Sequence, residues 1–334
     1  MSEFRTVVKL RESGIKISYD STLLFLGSCF SENIGDRFKD RHFSIEVNPF
    51  GVLYNPDSVK QGLEILLKKR LFDESVLFEY QGRWHSFFHH SRFSMPDKSS
   101  ALEQINRNII KGHETLKRAD FLFITFGTAW VYENVDDGNI VANCHKLPAS
   151  HFRRYRLEVE DIVKSYSELI DELKALNPDI NIIFTVSPVR HLKDGAHGNQ
   201  LSKSVLLLAV EELVRENENV DYFSAYELVM DDLRDYRFYA EDMVHPGKLA
   251  VDYIWDRLSE VYFDSKAKSF VKEIEKILKA RAHRPFNKNG PEYNKFAGGV
   301  LERLEKLEKQ FPGVDVEELT DFFRNEVNGI RINN

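Results

Sequence analysis

The sequence predicts an α/β fold in which helices cover both faces of a parallel sheet. Short apolar runs alternate with longer amphipathic stretches, and the clearest run, FLFITF at Phe121–Phe126, is apolar at almost every position. Strands that are covered on both faces have this composition. Alternation of strand and helix with right-handed crossovers gives a three-layer α/β/α arrangement.

Local patterns define the individual elements. Compact apolar runs predict the strands, in chain order Leu23–Leu26, Phe43–Val47, Phe121–Phe126, Asn181–Val186 and Val220–Phe223. Apolar residues at helical spacing predict the helices of the same region, at Ser31–Lys39, Asp57–Lys69, Val163–Leu176, Leu201–Arg215 and Leu249–Tyr262. Functional groups of such sheets collect at the carboxyl ends of the strands. We therefore expect Gly27-Ser28-Cys29, Gly127-Thr128-Ala129 and Ser187-Pro188 along one edge.

The character of the chain changes near residue 265. We predict an α/β domain over residues 1–265 and a helical extension over residues 266–334, with helices at Val271–Ala280, Val300–Phe311 and Val316–Arg324. Arg284–Asn294 contains two prolines and a glycine and is predicted to be a loop. The extension is expected to pack on the core or on a partner, and it offers a surface for a homo-oligomer.

Composition excludes several classes of protein. The 334 residues are 42% hydrophobic and 30% charged, which is ordinary for a globular protein. The net charge of −7 argues against binding to nucleic acid or to anionic membrane that is driven mainly by electrostatic attraction. Met1–Lys9 has no apolar stretch of signal-peptide length, and no run approaches a membrane span, so a cytoplasmic location is expected. Two cysteines, Cys29 and Cys144, imply no disulfide framework.

Ser28 and Cys29 place two potential nucleophiles on a turn between a strand and a helix. The start of a helix supplies backbone N–H groups and a positive dipole end, which stabilise a thiolate and lower the pKa of a thiol. Cys29 is therefore a candidate nucleophile. The structural alternative is that small residues suit a tight turn and that a free cysteine packs as a small apolar group.

A second candidate pair is Asp242 and His245, in EDMVHPG. Separated by three positions, both side chains can turn into one site, where the carboxylate orients the imidazole as a general base. Alternatively, Asp242 caps the following helix and His245 is an exposed loop residue. The order along the chain favours the catalytic interpretation, because the nucleophile turn follows the first strand and this pair follows the last one.

The stretch GSCFS at Gly27–Ser31 resembles the N-terminal motif of the GSCFA family, with Ser31 in place of the final alanine. Other stretches in the style of that family are NPFGVLYNP at Asn48–Pro56, WHSFFHHSRF at Trp84–Phe93, TFGTAWVYE at Thr125–Glu133, NCHK at Asn143–Lys146 and EDMVHPG at Glu241–Gly247. The resemblance implies an SGNH/GDSL hydrolase with a flavodoxin-like sheet. Cys29 then stands at the place of the catalytic serine, Ser28 remains the alternative nucleophile, and Asp242 and His245 match the catalytic Asp-x-x-His.

The same resemblance bears on the oxyanion hole. The family's second-block glycine, which gives an oxyanion N–H, maps most plausibly to Gly51. The third block, normally G-x-N-D, reads Gly127-Thr128-Ala129-Trp130 here, so Ala129 stands where an asparagine is expected. Asn143 or the backbone near Gly127 would have to substitute.

The remaining histidines each have more than one possible role. His85, His89 and His90 lie in an aromatic stretch, where they line a substrate cleft or fill polar core positions; without a matching carboxylate we predict no metal site. His191 belongs to a glycine-containing loop after a strand, a common place for substrate contacts. No glycine-rich phosphate loop is evident, and no cofactor is expected.

These observations predict an acyl-transfer enzyme, either an esterase or deacylase or an O-acyltransferase. Its substrate would be a small-molecule or glycan acyl ester, with a carbohydrate-like acceptor. One alternative is a non-catalytic module of the same fold that binds a glycan or a protein. The other is a thiol redox or sensor role for Cys29.

Overall fold

A five-stranded parallel sheet forms the centre of the fold. The computed structural model describes residues 6–286 and 290–328, and its strands are, in chain order, β1 (Thr22–Gly27), β2 (Ser44–Val47), β3 (Phe78–Tyr80), β4 (Arg83–His85), β5 (Phe121–Phe126), β6 (Trp130–Asn134), β7 (Phe152–Arg156), β8 (Asn181–Val186) and β9 (Val220–Tyr222). The sheet order is β2-β1-β5-β8-β9, and β3–β4 and β6–β7 form two separate antiparallel pairs. This order changes direction at β1, so a crevice opens at the carboxyl ends of β1 and β5.

Helices cover both faces of the sheet. They are α1 (Cys29–Asp40), α2 (Pro56–Leu67), α3 (Lys98–Arg118), α4 (Val159–Leu176), α5 (Gly195–Glu216), the short α6 (Ala225–Glu227), α7 (Lys248–Tyr262), α8 (Ser265–Arg281), α9 (Pro291–Gln310) and α10 (Glu317–Asn328). Alternate residues of β1 point to opposite faces: Leu23 and Phe25 pack with α1 and α7, whereas Leu24 and Leu26 pack with α2 to α5. The predicted three-layer α/β/α class is confirmed.

The C-terminal helices extend one of these layers. Phe270 of α8, Ala297 of α9 and Phe323 of α10 are buried in the same apolar cluster as Phe25 of the sheet and Trp255 of α7. The extension therefore packs on the core of the α/β region. None of the helices within residues 6–286 and 290–328 combines the length and apolar content needed to cross a bilayer.

Several boundaries differ from those predicted. Helix α3, 21 residues long, was not predicted. Helix α5 begins at Gly195 rather than at Leu201, so the loop that holds His191 ends earlier than predicted. Helix α9 begins at Pro291, so the predicted loop ends earlier, because proline suits the first turn of a helix. The rest of that loop includes residues 287–289, which lie outside the described residues.

Candidate active site

A cavity of about 340 Å³ opens at the carboxyl edge of the sheet. It brings together four of the predicted site residues: Cys29, Asn143, His191 and His245. The rest of its lining is Tyr54, Asn55, Thr128, Trp130, Tyr132, Val141, Ala142, Cys144, Arg154, Lys193 and Asp194. The loops after β1, β5 and β8 all contribute, as the sheet order requires. The predicted residues Ser28, Gly51, Gly127, Ala129, His85 and Asp242 lie outside this lining.

Cys29 is the first residue of α1, two positions earlier than the predicted start of that helix. Ser28 is the N-cap: its Oγ accepts a hydrogen bond from the Phe30 N–H at 3.3 Å, and only 1% of the residue is exposed. The preceding turn requires glycine, because Gly27 has a φ of +137° and a Cβ there would lie 2.1 Å from the carbonyl oxygen of Thr125. The local sequence thus buries the serine and directs the cysteine into the cavity.

The thiol of Cys29 is less acidic than the helix start alone would make it. Burial is the largest influence and raises its pKa above the usual value, and Glu32 adds to the increase. The N–H groups of Cys29 and Phe30 and the cation of Lys203 act in the opposite direction. The expectation that the helix start lowers this pKa is therefore wrong for the resting protein, in which desolvation dominates.

Asp242 and His245 form a hydrogen-bonded pair, of which His245 lines the cavity. Asp242 Oδ2 lies 2.6 Å from His245 Nδ1, and its Oδ1 accepts from the N–H groups of Val244 and His245 at 3.0 and 2.9 Å. These backbone donors, followed by the imidazole, lower the pKa of Asp242 to about 2. The carboxylate fixes Nδ1 as a donor, and Nε2 of His245 is left for the cavity. Within residues 6–286 and 290–328 no hydrogen bond joins His245 directly to Cys29.

The backbone N–H groups expected to form the oxyanion hole already have acceptors. Gly51 donates to the carbonyl of Asn48 at 2.7 Å, in a turn outside the cavity. Gly127 donates to the carbonyl of Tyr54 at 2.7 Å, and Ala129 donates to Ser202 Oγ at 2.8 Å. None of these three groups is free to bind a developing oxyanion.

Asn55 is a cavity residue that the sequence analysis did not single out. It is the N-cap of α2, where its Oδ1 accepts from the Ser58 N–H at 2.8 Å. That bond orients the amide, and no acceptor among the described residues is recorded for its Nδ2. The sequence signal was the Asn55-Pro56 pair, since an N-cap asparagine before a proline at N1 is a common helix start.

Comparison with protein-family models gives two matches. Residues 22–258 match the model described as the GSCFA family, and residues 274–329 match the model described as the GSCFA domain protein, C-terminal domain. The chain belongs to the GSCFA family. The first match spans the whole candidate site, from Cys29 to His245.

Other comparisons give distant similarity. The search of curated proteins finds no match for this GSCFA chain. Among solved structures it is similar to an acetyl xylan esterase from the rumen bacterium Butyrivibrio proteoclasticus, with 15% identity and a TM-score of 0.35. That match covers 72% of the GSCFA chain and 64% of the esterase chain, so it leaves about a third of the esterase unmatched.

The NCHK stretch of the GSCFA chain reaches the cavity through Asn143 and Cys144. Asn143 Oδ1 accepts from the N–H of His145 at 2.8 Å. Burial raises the pKa of Cys144 to about 11, with Lys193 opposing that effect. Both cysteines of the chain line the same cavity. Because burial raises the pKa of each thiol, both are predominantly protonated at neutral pH.

The predicted substrate contact His85 lies elsewhere. It is buried, and its Nδ1 is 2.7 Å from Ser94 Oγ and 3.1 Å from Nδ1 of His145. Burial lowers the pKa of His145 to about 4, so this imidazole is neutral. The arrangement fits the alternative of a polar core position. Among the described residues no group of three or more His, Cys, Asp or Glu side chains is arranged to hold a metal ion.

His191 lines the same cavity as Cys29. Its backbone N–H donates to Asn199 Oδ1 at 2.9 Å, and its Nε2 is buried without a hydrogen-bond partner among the described residues. Burial, then Lys203 and His245, lower the pKa of His191 to about 4. The imidazole of this cavity residue is therefore neutral.

The outer wall of the cavity is aromatic and charged. The guanidinium of Arg154 lies 4.3 Å from the ring centroid of Trp130 and binds Asp194 through two hydrogen bonds of 2.5 and 2.7 Å. Lys193 Nζ donates to the hydroxyl of Tyr132 at 2.6 Å. Rigid rings beside fixed polar groups suit the binding of a polar ligand with an apolar face.

Proposed function

We propose that this chain is an acyl-transfer enzyme of the SGNH type, with Cys29 as nucleophile, His245 as general base and Asp242 as the residue that orients the base. One observation carries the proposal. Cys29 and His245 line one cavity, although they are more than 200 positions apart in the sequence. Cys29 lies at the first strand–helix turn, and His245 Nδ1 is held 2.6 Å from Asp242 Oδ2. A nucleophile, a base and an orienting carboxylate are the components of covalent acyl transfer.

The proposed reaction begins with a substrate bound between the two side chains. His245 Nε2 takes the proton of the Cys29 thiol as Sγ attacks the ester carbonyl carbon, so that a C–S bond forms and the carbonyl oxygen becomes an oxyanion. The tetrahedral intermediate collapses, the ester C–O bond breaks, and the alcohol leaves with the proton from His245. Water or an acceptor hydroxyl then attacks the thioester in the same way and regenerates the thiol.

Protein donors for the oxyanion are proposed at the wall of the cavity. Asn55 lines the cavity and offers its Nδ2, and the N–H of Cys29, at the first position of α1, lies next to the attacking sulfur. Asn143 and His191 also line the cavity and are proposed to contact the substrate. These donors replace the backbone groups of Gly51, Gly127 and Ala129, which are occupied.

Ser28 is the weaker candidate for the nucleophile. Its hydroxyl is buried and serves as the cap of α1, which points it away from the cavity. Cys29 occupies the adjacent position with its side chain in the lining. The proposal therefore assigns catalysis to the thiol and helix capping to the hydroxyl.

The proposed substrate is a small-molecule or glycan acyl ester. The aromatic and charged outer wall, with Trp130, Tyr132 and Arg154, supports a polar, carbohydrate-like alcohol portion. The same machinery serves hydrolysis and transfer, which differ only in whether water or an acceptor hydroxyl enters the second step. No cofactor takes part in the proposed reaction.

Activity on a panel of short acyl esters, with and without acceptor sugars, tests the proposal. We expect measurable ester cleavage that is lost in Cys29→Ala and strongly reduced in His245→Ala. The Ser28→Ala variant should have the same activity per folded molecule as the wild type. Activity that survives Cys29→Ala would contradict the assignment of the nucleophile. Transfer to a sugar in competition with water would identify an O-acyltransferase.

A non-catalytic module that binds a glycan or protein is the second candidate. Two observations favour it: burial raises the pKa of Cys29, and no hydrogen bond joins Cys29 to His245 among the described residues. Under this alternative the ester panel gives no turnover, and glycans bind equally well to the wild type and to Cys29→Ala.

A redox role for Cys29 is the third candidate, and the position of Cys144 in the same cavity favours it. Thiol titration after mild oxidation separates this role from catalysis. A disulfide that links Cys29 to Cys144 would support redox function, whereas two free thiols would leave Cys29 available as a nucleophile.

A further inference from the structure

Lys203 is a fully buried lysine behind the candidate site. Its exposed fraction is 0%, and its Nζ donates to the carbonyl oxygens of Gly127 and Ser187, each at 2.6 Å. Gly127 and Ser187 are the residues that directly follow β5 and β8. The ammonium therefore ties together the ends of two neighbouring strands at the edge of the sheet where the cavity opens.

The same face of α5 makes further bonds to this edge. Ser202 and Lys203 follow Asn199 by three and four positions, so both lie on the side of the helix that Asn199 occupies. Asn199 accepts from the His191 N–H at 2.9 Å, and Ser202 Oγ accepts from the Ala129 N–H at 2.8 Å. This polar patch replaces the apolar stripe that the rest of α5 presents, so the start of the helix is built to hold loops of the cavity.

Lys203 lacks a fixed negative partner. Within residues 6–286 and 290–328 its recorded hydrogen bonds go only to the two carbonyl oxygens, and no carboxylate pairs with it. A buried ammonium is expensive unless an anion compensates it. A lysine side chain is normally long enough to bring its ammonium group to the surface. The complete burial of Lys203 therefore requires a reason other than packing.

Cys29 is the group that can supply the missing negative charge. Gly127, which binds the ammonium, lies against Ser28: a Cβ on Gly127 would be 3.4 Å from Ser28 Cβ. The other charged or titratable groups that face Lys203 are Arg190 and His191 from the loop after β8, and the ring of Tyr226 at 6.0 Å. None of these carries a negative charge at neutral pH, whereas the Cys29 thiolate does when it forms.

We propose that Lys203 is a positioning residue that holds the ends of β5 and β8 together and provides the buried positive charge against which the Cys29 thiolate forms. This inference deepens the proposed function, because it assigns a source of stabilisation to the proposed nucleophile. The electrostatic influence is mutual: Lys203 favours the thiolate, and the thiolate favours the charged ammonium. During attack the proton of the thiol goes to His245, and the ammonium of Lys203 stabilises the thiolate that remains.

The test is the rate of Cys29 alkylation by iodoacetamide across pH, which needs no substrate and no catalytic turnover. Each cysteine is followed separately, Cys29 in a Cys144→Ser background and Cys144 in a Cys29→Ser background. We expect Lys203→Met to slow Cys29 alkylation about tenfold near neutral pH, because a nearby charge stabilises the thiolate. Lys203→Gln, which keeps N–H donors without the charge, should show the same loss, and Lys203→Arg should restore most of the rate.

Lys193→Met is the matched control, since Lys193 acts on Cys144 and lines the same cavity. It should slow the alkylation of Cys144 and leave that of Cys29 unchanged, the reverse of Lys203→Met. Equal Cys29 rates in the wild type, Lys203→Met and Lys203→Gln, with all three folded, would overturn the proposal. Slowed alkylation in a protein without esterase activity would instead overturn the proposed function and leave this inference standing.

If the uncharged variants do not fold, the Cys29→Asp and Cys29→Ala variants provide the test. Lysine labelled with ¹³C reports the titration of Lys203 by NMR, in which a buried amine stands apart from surface lysines. A fixed negative charge at this position, in Cys29→Asp, should move this titration to higher pH than in Cys29→Ala, because the ammonium gains an anionic partner. Equal Lys203 titrations in Cys29→Asp and Cys29→Ala, both folded, would contradict the pairing.

Discussion

Asp242 Oδ2 lies 2.6 Å from His245 Nδ1, and the other oxygen of that carboxylate accepts two backbone N–H groups of the same turn. The turn is closed by the Ala240 N–H, which donates to the carbonyl of His245 at 2.7 Å. This relationship fixes both the position and the tautomer of the imidazole before substrate arrives. A base that is oriented in advance needs no rearrangement to accept a proton.

The first prediction concerns Asp242. Asp242→Asn retains acceptors for the backbone but presents an amide N–H to Nδ1, so the imidazole loses its fixed tautomer. We expect kcat/KM for ester cleavage to fall at least about tenfold, while Glu241→Gln, a change of the neighbouring exposed carboxylate, leaves it unchanged. Equal activity of both variants would show that the carboxylate does not orient the base.

The same pair predicts part of the pH profile. Because the pKa of Asp242 is lowered to about 2, its carboxylate remains ionised at every pH at which the assay is practical. Loss of activity on acidification above about pH 4 must then arise from a group other than Asp242. An acid limb that disappears in Asp242→Asn, while the activity at neutral pH is kept, would contradict this assignment.

The second prediction concerns Asn55, which the proposal uses as an oxyanion donor. Asn55→Ser keeps an oxygen that can cap α2 but removes the amide N–H, so stability should change by less than about 1 kcal/mol. The kcat should fall about 100-fold, the usual effect of removing one such donor. Ser58→Ala, in the same first turn, serves as the control. An Asn55→Ser enzyme with unchanged kcat would exclude the donor role.

The third prediction links Lys203 to stability. Burial lowers its pKa from 10.5 to about 7, so below pH 7 the ammonium is present in both folded and unfolded chains and the fold bears the full cost of burying it. Between about pH 7 and 10.5 the unfolded chain binds a proton that the folded chain does not, and stability rises with pH. Relative to Lys203→Met, the wild type should gain up to a few kcal/mol in free energy of unfolding over this range.

Urea denaturation of both proteins at several pH values measures this difference. Using the difference between the two chains removes the contribution of other titrating groups. Parallel curves for the wild type and Lys203→Met would show that the buried amine does not change its protonation on unfolding.

The fourth prediction concerns the turn before Cys29. Gly27→Ala places a Cβ 2.1 Å from the Thr125 carbonyl oxygen at a φ of +137°, so the turn must distort. We expect a loss of at least about 2 kcal/mol of stability, together with slower alkylation of Cys29 as its position shifts. Gly14→Ala, at an exposed site with no atom within 4 Å of the added Cβ, should lower the melting temperature little. Similar melting temperatures for the two variants would contradict the predicted strain.

The sequence predicted the layers and the sheet well because burial on both faces leaves a clear mark. Runs such as Phe121–Phe126 have few polar residues, and their carboxyl ends are where the cavity was found. Helix α3 escaped prediction although its buried residues recur at helical spacing, among them Ile105 and Ile109. Its few buried positions are spread among polar and charged residues, so no compact apolar run marks this helix.

The site was predicted only where side-chain type indicates chemistry. Cys29 and His245 could be found in this way and do share a cavity. The sequence could not show that burial outweighs the helix start in setting the pKa of Cys29, because desolvation depends on atoms distant along the chain. Nor could it show that the N–H of Gly51 is occupied by Asn48, or that Lys203 is buried, since lysine on a helix is normally exposed.

The central claim is that an acyl group passes through the sulfur of Cys29, and intact-protein mass spectrometry tests it most directly. A slowly turned-over acyl ester is mixed with the protein, the reaction is quenched in acid, and the modified peptide is mapped. We predict one added acyl group, on Cys29, that is removed by hydroxylamine and accumulates further when the acceptor is withheld. An unmodified Cys29 during active ester cleavage, or the acyl group on Ser28, would contradict the account.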